Sequence, residues 1–355
     1  MFAYVGCYTT PDRQGRGEGI GVYRVDPTTG DWTFVQLVLN VLNPAFLALH
    51  PGRPILYCVH GGNDFSAVSA FTIEPSAGML TFLNSQPSGG ANPAHLAIDP
   101  TGRILAVANY TGGTVAALPL AEDGTLQPPG NVFAQTGEPG PHPTEQASAH
   151  PHHIPFDPAG RFVVAPDKGL DRLFSYRADS ASGQLVPNEP PSVATHPGAG
   201  PRHIAFHPAL PYAYVVNELD STLTTYAYDP LLGTLVPEQT ISSLPPDYTA
   251  TNSGAEIAVD AAGRFLYASN RGHDSIAIFA IDPAAGWLAP LGWEPTGGAM
   301  PRFFALDPAG ALLYAANQDG DTIVAFRVDP GTGLLAPTGQ VIQTGSPSCI
   351  VFAEW

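Results

Sequence analysis

Charged side chains are scarce in this 355-residue chain, at 13% of the residues, about half the share usual in soluble domains. Lysine is nearly absent: Lys168 is the only one among 14 basic residues, against 31 acidic residues, and the net charge is −17. Such a chain opposes binding to nucleic acids and anionic membranes, so we expect neither as a partner. A small anionic substrate is not excluded, because a local arginine cluster can outweigh a distant field.

Long hydrophobic runs and cysteine pairs are also lacking. No apolar run reaches the roughly 18 residues of a membrane span, and the N-terminal MFAYVGCYTT lacks the basic and long apolar regions of a signal peptide. Cys7, Cys58 and Cys349 are odd in number and widely spaced, which fits neither a disulfide framework nor a cysteine zinc site. We therefore expect reduced, mostly buried thiols in a cytoplasmic protein.

Two turn patterns recur along the chain. The first, an acidic residue and Pro followed by Gly, begins at Asp26, Glu74, Asp229, Asp282 and Asp329, with weaker copies at 123–124 and 179–183. The second, a D/H-P-x-G-R type, begins at His50, Asp99, Asp157, His207, Asp260 and Asp307. Short runs rich in Val, Ile, Tyr, Phe and Ala surround each turn, and no long stretch holds a helical period. These features predict strands joined by tight turns.

The repeat length of about fifty residues, with four strands each, predicts a β-propeller. Seven turns of one type and six of the other indicate seven blades with the chain ends inside one of them. The C-terminal run 347–352 matches a first strand, and residues 2–8, 19–25 and 32–37 match the second, third and fourth. We therefore predict a single all-β domain over 1–355, closed by one C-terminal strand that pairs with N-terminal strands and so leaves no open sheet edge.

In such a ring the start of each first strand and the end of each second strand lie at the same face. The residues at these positions differ from blade to blade, whereas the turns at the opposite face repeat the same sequence patterns. Residues of a functional site are expected to differ between otherwise similar repeats. Such differences occur at the following residues: His152, Lys168, Arg202, Glu218, Arg271 and Arg302. Arginine forks match carboxylate or phosphate groups, and a His with a Glu can move a proton. The Asn column of 109, 217, 270 and 317 is interpreted as structural.

A metal or cofactor site is not predicted. His150, His152 and His153 place two rings on one side of a strand, but no neighbouring carboxylate has ligand spacing and a metal needs several donors. No P-loop, dinucleotide-binding glycine motif or G-x-S-x-G elbow is present. We therefore expect neither a metal nor a cofactor.

Several stretches resemble the seven-bladed propeller lactonases, the family of bacterial 6-phosphogluconolactonase and fungal carboxymuconate-lactonizing enzymes. The matches cover essentially the whole chain: YVGCYTT (4–10), NPAHLAIDPTGR (92–103), VANYTGGTVA (107–116), GAGPRHIAFHP (198–208), YVVNELDST (214–222), FLYASNRGHDSIAIF (265–279) and PRFFALDPAG (301–310). The GPRH, VNEL and SNRGHDS segments are specific, whereas the NPxHLxxDPxGR type is shared more loosely among propellers.

The resemblance implies a catalytic set of His152, Arg202, Glu218 and Arg271, the positions that the symmetry argument also selects. It implies hydrolysis of a small anionic lactone, 6-phosphoglucono-1,5-lactone, in the pentose phosphate pathway. On this hypothesis His152 or Glu218 activates water and the other protonates the ring oxygen, while Arg202 and Arg271 bind phosphate or the developing oxyanion. Further substrate contacts are expected from the following residues: His203, Lys168, Arg302, His95 and Tyr110.

This chain departs from the family pattern at two points. His60-Gly61 stands where the family often has Asn-Glu, and Cys7 replaces the Thr of YVGTYT. Three alternatives stay open: a lactonase for a non-phosphorylated sugar lactone, a carboxymuconate-type cycloisomerase, and a non-catalytic binding propeller, since fold alone does not assign function. The sequence does not distinguish a monomer from a dimer.

Overall fold

The computed structural model describes residues 1–62 and 65–354, which form seven antiparallel sheets. The one helix among these residues is a single 3₁₀ turn, Pro11–Arg13. No helix in the described part of the chain has the length and apolar character needed to cross a membrane. The prediction of an all-β, seven-bladed propeller is confirmed.

The strands follow the predicted order, and the blades are numbered here along the chain. The first three strands are β1 (Phe2–Cys7), β2 (Gly19–Val25) and β3 (Trp32–Leu39). Blade 1 contains β4 (Pro44–Leu49), β5 (Ile55–His60), β6 (Ala67–Ile73) and β7 (Leu80–Pro87). Blade 2 contains β8 (Pro93–Ile98), β9 (Ile104–Asn109), β10 (Thr114–Pro119) and β11 (Asn131–Ala134). Blade 3 contains β12 (Phe162–Asp167), β13 (Arg172–Asp179) and β14 (Gln184–Ala194).

The second half of the ring repeats the four-stranded pattern. Blade 4 contains β15 (Pro201–Phe206), β16 (Tyr212–Asn217), β17 (Thr222–Asp229) and β18 (Thr234–Ser242). Blade 5 contains β19 (Ser253–Val259), β20 (Phe265–Arg271), β21 (Ser275–Ile281) and β22 (Leu288–Pro295). Blade 6 contains β23 (Pro301–Leu306), β24 (Leu312–Asn317), β25 (Thr322–Val328) and β26 (Leu335–Gln343). The last strand is β27 (Pro347–Ala353).

Blade 7 closes the ring as predicted. Strand β27 pairs antiparallel with β1, with Phe2 opposite Ala353 and Tyr4 opposite Val351, and the sheet continues through β2 to β3. The two ends of the chain therefore share one sheet, and their pairing closes the ring.

Blade 3 differs from the predicted pattern, because its first strand is not regular. Only two isolated bridges, Pro151 with Asp167 and Phe156 with Val163, connect this segment to β12. The expectation of four strands in every repeat is therefore wrong here. Pro155, inside this segment, lacks the N–H group that a continuous ladder needs. The segment still occupies the inner position of the blade, since the His152 N–H donates to Pro166 O at 3.0 Å.

The acid-Pro-x-x-Gly turns connect neighbouring blades. In the first of them, the Gly30 N–H donates to Asp26 O at 2.8 Å, and Gly30 has a φ of 79°, which favours glycine. The Tyr314 hydroxyl of blade 6 donates to Gly30 O at 3.1 Å. Equivalent hydroxyl-to-carbonyl bonds join three further pairs of blades: Tyr4 to Gly78, Tyr57 to Gly124, and Tyr267 to Gly333. The repeated turn motif therefore has a structural role, because its carbonyl groups accept hydrogen bonds from tyrosine hydroxyls of the neighbouring blades.

The hydrophobic core lies between the blades. Apolar side chains of each blade pack against those of its neighbour, as Tyr57 and Val59 of blade 1 do against Val107 of blade 2. The three cysteines are free and buried, as predicted. Burial of apolar surface on both faces of every sheet stabilises the ring, by about 25 cal/mol for each Å² of apolar surface removed from water. The polar residues at the strand ends lie at the mouths of the channel.

Candidate functional site

A cavity of about 160 Å³ opens at one mouth of the central channel, and all seven blades line it. Its polar lining comes from the start of first strands, the end of second strands and one loop: Tyr8, Arg13, Asn92, Tyr110, His152, Glu218, Arg271 and Arg302. A second compartment of about 10 Å³, with room for about one water molecule, lies beneath it. His152, Tyr8 and Arg302 line both compartments.

Bulges at the starts of the first strands bring side chains into the mouth. In blade 4, Pro201 pairs with Asn217 and His203 with Val216, so Arg202 is an extra residue in the ladder. Arg302 is the equivalent extra residue in blade 6. A bulge re-aims the inserted residue and leaves the pairing on either side intact. Two arginines from different blades thereby lie near the channel axis.

Glu218 lies at the centre of a cluster of cations. Its Oε2 is 3.1 Å from Arg202 Nε and 3.2 Å from Arg271 Nη2, and its Oε1 accepts a hydrogen bond from Lys168 Nζ at 3.0 Å. Burial opposes the charge of this carboxylate, but Arg271, Lys168 and Arg202 hold its pKa well below the ordinary range of glutamate. Glu218 is therefore an ionised carboxylate that fixes three cationic groups.

Arg202 and Lys168 are buried below the cavity surface. Arg202 is 2% exposed, and its Nη1 donates to Ala255 O at 2.6 Å. Burial lowers the pKa of its guanidinium, and the neighbouring Arg302 and Arg271 add to that shift. Burial also opposes the charge of Lys168, yet Glu218 in particular keeps the pKa of its ammonium above the usual value. Both side chains form ion pairs with the Glu218 carboxylate.

The structure distinguishes the three neighbouring histidines. The His150 ring stacks on Tyr110 with centres 4.5 Å apart, and its Nδ1 lies 3.0 Å from Tyr110 O. His153 Nδ1 accepts the Ile204 N–H at 3.2 Å in the buried interior. Among the three, His152 alone lines the cavity. Burial lowers its pKa far below 6.5, and Arg202, Arg302, Lys168 and Arg271 lower it further, so its imidazole is neutral near neutral pH.

A layer of buried imidazole rings lies below His152. His203 stacks on His153 with centres 4.1 Å apart and lines the lower compartment. His95 packs edge-on against His153 and makes no contribution to either compartment. The structure therefore places both of these expected substrate contacts beneath the cavity, whereas Tyr110 and Arg302 line its wall.

Two arginines at the cavity keep their charge free for a ligand. No carboxylate of residues 1–62 and 65–354 lies within 4.0 Å of the Arg302 or the Arg13 guanidinium. Arg13 Nε donates to Gly61 O at 3.2 Å, and its Nη2 donates to Asn92 Oδ1. These neutral partners hold the side chain in place without neutralising it. The mouth is therefore positive, although the chain as a whole carries a charge of −17.

Within the described residues, no three His, Cys, Asp or Glu side chains are grouped so that they could hold a metal ion. The buried histidines instead bond to one another, to backbone N–H groups and to Glu256. The donor groups that a metal would need are thus engaged in the channel interior.

Comparison with known proteins agrees with this arrangement. Residues 2–352 match the protein family described as "Lactonase, 7-bladed beta-propeller". This chain belongs to that family. A 6-phosphogluconolactonase of Bacillus subtilis is 37% identical over 301 residues, which cover 85% of this chain and 83% of the relative. A 6-phosphogluconolactonase of Formosa agariphila is 35% identical and covers 85% of both chains.

A solved structure of a gluconolactonase has the same architecture. The periplasmic gluconolactonase of Pseudomonas aeruginosa superposes with a TM-score of 0.90 at 32% identity, covering 99% of this chain and 98% of that one. The seven-bladed ring is thus shared over the full length of both proteins.

The four residues that the family resemblance implies as catalytic form one connected cluster in this lactonase. Glu218 contacts Arg202 and Arg271 directly, and His152 lies in the same cavity as Glu218 and Arg271. Arg202 lines only the lower compartment. The catalytic roles of these residues stay predictions, but their convergence at one mouth is a property of the fold.

Sequence reasoning missed three residues of the site. Arg13 lies in the loop between β1 and β2, outside any repeated position, so no alignment of repeats could have selected it. Tyr8 and Glu256 occupy aligned positions, at the end of a second strand and the start of a first strand. They became candidates only once the structure showed Tyr8 beside Arg302 and Glu256 bonded to His203.

Proposed function

We propose that this lactonase hydrolyses 6-phosphoglucono-1,5-lactone to 6-phosphogluconate in the pentose phosphate pathway. The family and the two relatives named 6-phosphogluconolactonase support lactone hydrolysis. The observation that carries the choice of a phosphorylated substrate is the pair Arg13 and Arg302, which line the cavity and have no carboxylate partner among the described residues. Guanidinium groups bind phosphate through charge-assisted hydrogen bonds.

In this proposal His152 is the group that activates water. Its neutral imidazole lines the cavity, and no other side chain there combines a free nitrogen lone pair with a position beside the arginines. Water attacks the lactone carbonyl carbon as its proton passes to His152, and the bond from that carbon to the ring oxygen then breaks. His152 returns its proton to the ring oxygen, which becomes a hydroxyl group.

Glu218 has a positioning role in the proposed reaction. Three cations keep its carboxylate ionised, so it lacks a proton to donate near neutral pH, and the same ion pairs make it a weak base. The geometry thus argues against Glu218 as the proton donor to the ring oxygen. Its contribution is to hold Arg271, whose Nη2 also donates to Gly254 O at 2.9 Å.

Arg271 is the proposed stabiliser of the developing negative charge. It lines the same cavity as His152, and two partners fix its guanidinium before substrate binds. A donor fixed in advance stabilises the oxyanion without reorganisation, and removal of one such donor costs about 3 kcal/mol. Arg202, which is buried against Glu218, supports this geometry from below.

The test is hydrolysis of freshly prepared 6-phosphoglucono-1,5-lactone and of glucono-1,5-lactone, with spontaneous ring opening subtracted. We expect acceleration that favours the phosphorylated lactone and that is lost in His152→Gln. The exposed Glu238→Gln serves as the control for handling and folding. No acceleration on either lactone would overturn the proposal, and turnover of a carboxymuconate-type dicarboxylate would then indicate a cycloisomerase.

A non-phosphorylated sugar lactone is the second candidate substrate. The gluconolactonase of Pseudomonas aeruginosa, at 32% identity over nearly the whole chain, favours it. The two candidates differ in the need for a cation beside C6, which carries a phosphate in one lactone and a free hydroxyl group in the other. Equal kcat/KM for both lactones would support this second candidate.

A further inference from the structure

The environment of His152 makes a protonated imidazole unfavourable. Two arginines and one lysine of the Glu218 cluster, together with Arg302, surround the ring, and His152 is 6% exposed. A base that must hold a positive charge next to four cations is poorly suited to accept a proton. A base that passes the proton on, and stays neutral throughout, avoids that cost.

A chain of hydrogen bonds leads from His152 to a buried carboxyl group. His152 Nδ1 lies 3.2 Å from His203 Nε2, and His203 Nδ1 lies 3.0 Å from Glu256 Oε1. Both histidines and Glu256 are less than a tenth exposed. The stack of His203 on His153 fixes the plane of the middle ring, so the two bonds persist as one connected path.

The partners of Glu256 determine the direction of the chain at a pH above the raised Glu256 pKa, where the carboxyl group is ionised. The Ile257 N–H donates to Glu256 Oε1 at 3.0 Å, so this oxygen already acts as an acceptor. With Glu256 ionised, His203 Nδ1–H donates to the same oxygen, and His203 Nε2 accepts from His152 Nδ1–H. The lone pair of His152 is then on Nε2, which has no bond to any described residue and belongs to a ring that lines the cavity.

We propose that Glu256 and His203 are positioning residues for His152, and that Glu256 is the terminal acceptor of the proton that His152 takes from the attacking water. This role rests on the proposed lactone hydrolysis. It assigns a function to a carboxyl group that lines the lower compartment and not the cavity above it.

Three coupled proton transfers carry the water proton away from the attacking oxygen. As the water oxygen bonds to the carbonyl carbon, a water proton moves to His152 Nε2, the Nδ1 proton of His152 moves to His203 Nε2, and the Nδ1 proton of His203 moves to Glu256. Both imidazoles stay neutral and exchange tautomers, and Glu256 becomes a neutral carboxylic acid. When the ring oxygen leaves, His152 Nε2–H donates to it and the three transfers reverse. The net change is one proton from water to the ring oxygen.

The surroundings of Glu256 suit a proton acceptor. Its Oε2 has no hydrogen-bond partner among the described residues, so the ionised form is only half satisfied. Burial raises its pKa above the ordinary glutamate value, and Arg202, the Ile257 N–H and Arg302 limit that rise. The other ionisable groups that face it are His203 and the Cys349 thiol. The pKa of Glu256 is about 8, so this carboxyl group takes up a proton more readily than an ordinary glutamate, and it is ionised and able to accept one above that pH.

The deciding variant is Glu256→Gln, because the amide oxygen keeps the bonds from Ile257 and His203 but cannot take up a proton. In the wild type we expect kcat/KM to fall as pH drops through the raised Glu256 pKa, since a protonated carboxyl cannot accept. In Glu256→Gln we expect kcat to fall about 10²-fold, KM to stay near the wild-type value, and this acid limb to disappear. His203→Phe, which keeps the stack on His153 but has no ring nitrogen, should show the same loss. Glu238→Gln is the matched surface control.

Nitrogen NMR of ¹⁵N-histidine-labelled protein gives a readout that does not depend on activity. The His152 and His203 signals, assigned with His152→Gln and His203→Phe, should exchange tautomers together as Glu256 titrates and stay constant with pH in Glu256→Gln. A folded Glu256→Gln variant with wild-type kcat and pH profile would overturn the relay and leave the lactonase proposal standing. A wild type that opens no lactone would overturn both the proposed function and the relay's catalytic role, whatever the tautomers do.

Discussion

The guanidinium carbon of Arg302 lies 5.4 Å from the centre of the Tyr8 ring, and that of Arg13 lies 5.7 Å from the same centre. Tyr8 thus contacts both of the cavity arginines that have no carboxylate partner in the described structure. Each cation is attracted to the negative face of the aromatic ring. This contact orients both guanidinium groups toward the cavity before any anion binds.

The first prediction concerns the ionisation of Tyr8. Burial opposes ionisation of its hydroxyl, but Arg302, Arg13, Arg202 and Arg271 lower its pKa below the ordinary 10.0. A lowered pKa means that tyrosinate forms at lower pH than in free tyrosine. We expect an early phase in the near-ultraviolet titration of the wild type, and its absence in Tyr8→Phe. Identical titration curves for the two proteins would contradict the electrostatic description of the cavity.

The second prediction concerns substrate choice. Arg302→Gln removes one of the two free cations, so the phosphorylated lactone should lose binding worth about 1.5–3 kcal/mol, the usual range for a hydrogen bond to a charged group. The change should appear as a higher KM for 6-phosphogluconolactone and leave glucono-1,5-lactone nearly unaffected. Arg327→Gln, on the exposed face of β25, is the matched control. A parallel loss on both lactones would assign Arg302 to the reacting centre instead.

The sequence was sufficient to predict the ring and its closure because each turn motif has a local physical cause. A carboxylate and a proline start the turn, and a glycine such as Gly30 ends it with a positive φ. The count of these turns therefore gives the count of blades. The irregular first strand of blade 3 was not predicted, because matching by position gave too little weight to Pro155, which lies inside that strand.

The site was only partly predictable, for a different reason. Repeat alignment finds positions that share a face, so it found His152, Glu218 and Arg271. Repeat alignment does not show how far a side chain lies below the cavity surface. The bulge at Arg202 turns that residue toward Glu218, below the cavity. A bulge depends on hydrogen-bond register, which side-chain alternation alone does not reveal.

The third prediction separates the neighbouring histidines. His152→Gln removes the ring that lines the cavity, so kcat should fall by about 10²–10⁴-fold, the usual contribution of a general base. His150→Phe keeps an aromatic ring stacked on Tyr110 and should have a much smaller effect. The measurement is kcat for each variant with the lactone that the wild type prefers. A larger loss in His150→Phe than in His152→Gln would reverse the assignment.

The fourth prediction concerns the stability that Glu218 provides. Its carboxylate pairs with three buried cations. Removal of one partner from a buried ion pair costs about 3–5 kcal/mol when the other charge stays buried and unpaired, as the charges of Arg202 and Arg271 do here. Lys168, in contrast, keeps its ion pair with Glu145 at 2.7 Å. We therefore expect Glu218→Gln to lower the free energy of unfolding in denaturant by an amount of that order. Glu238→Gln, on the exposed face of β18, should change it little.

The difference in free energy of unfolding between wild type and Glu218→Gln should depend on pH, and this dependence distinguishes an electrostatic cause from a packing cause. Arg271, Lys168 and Arg202 outweigh burial and hold the pKa of Glu218 below its unfolded value of 4.5. A carboxyl group with a depressed folded-state pKa contributes stability that is fully present above the unfolded pKa and lost as pH falls below it toward the folded pKa. The difference between wild type and Glu218→Gln should thus be constant near neutral pH and shrink as the solution is acidified below pH 4.5. A difference that stays constant on acidification would show that Glu218→Gln acts through packing and not through the charge of Glu218.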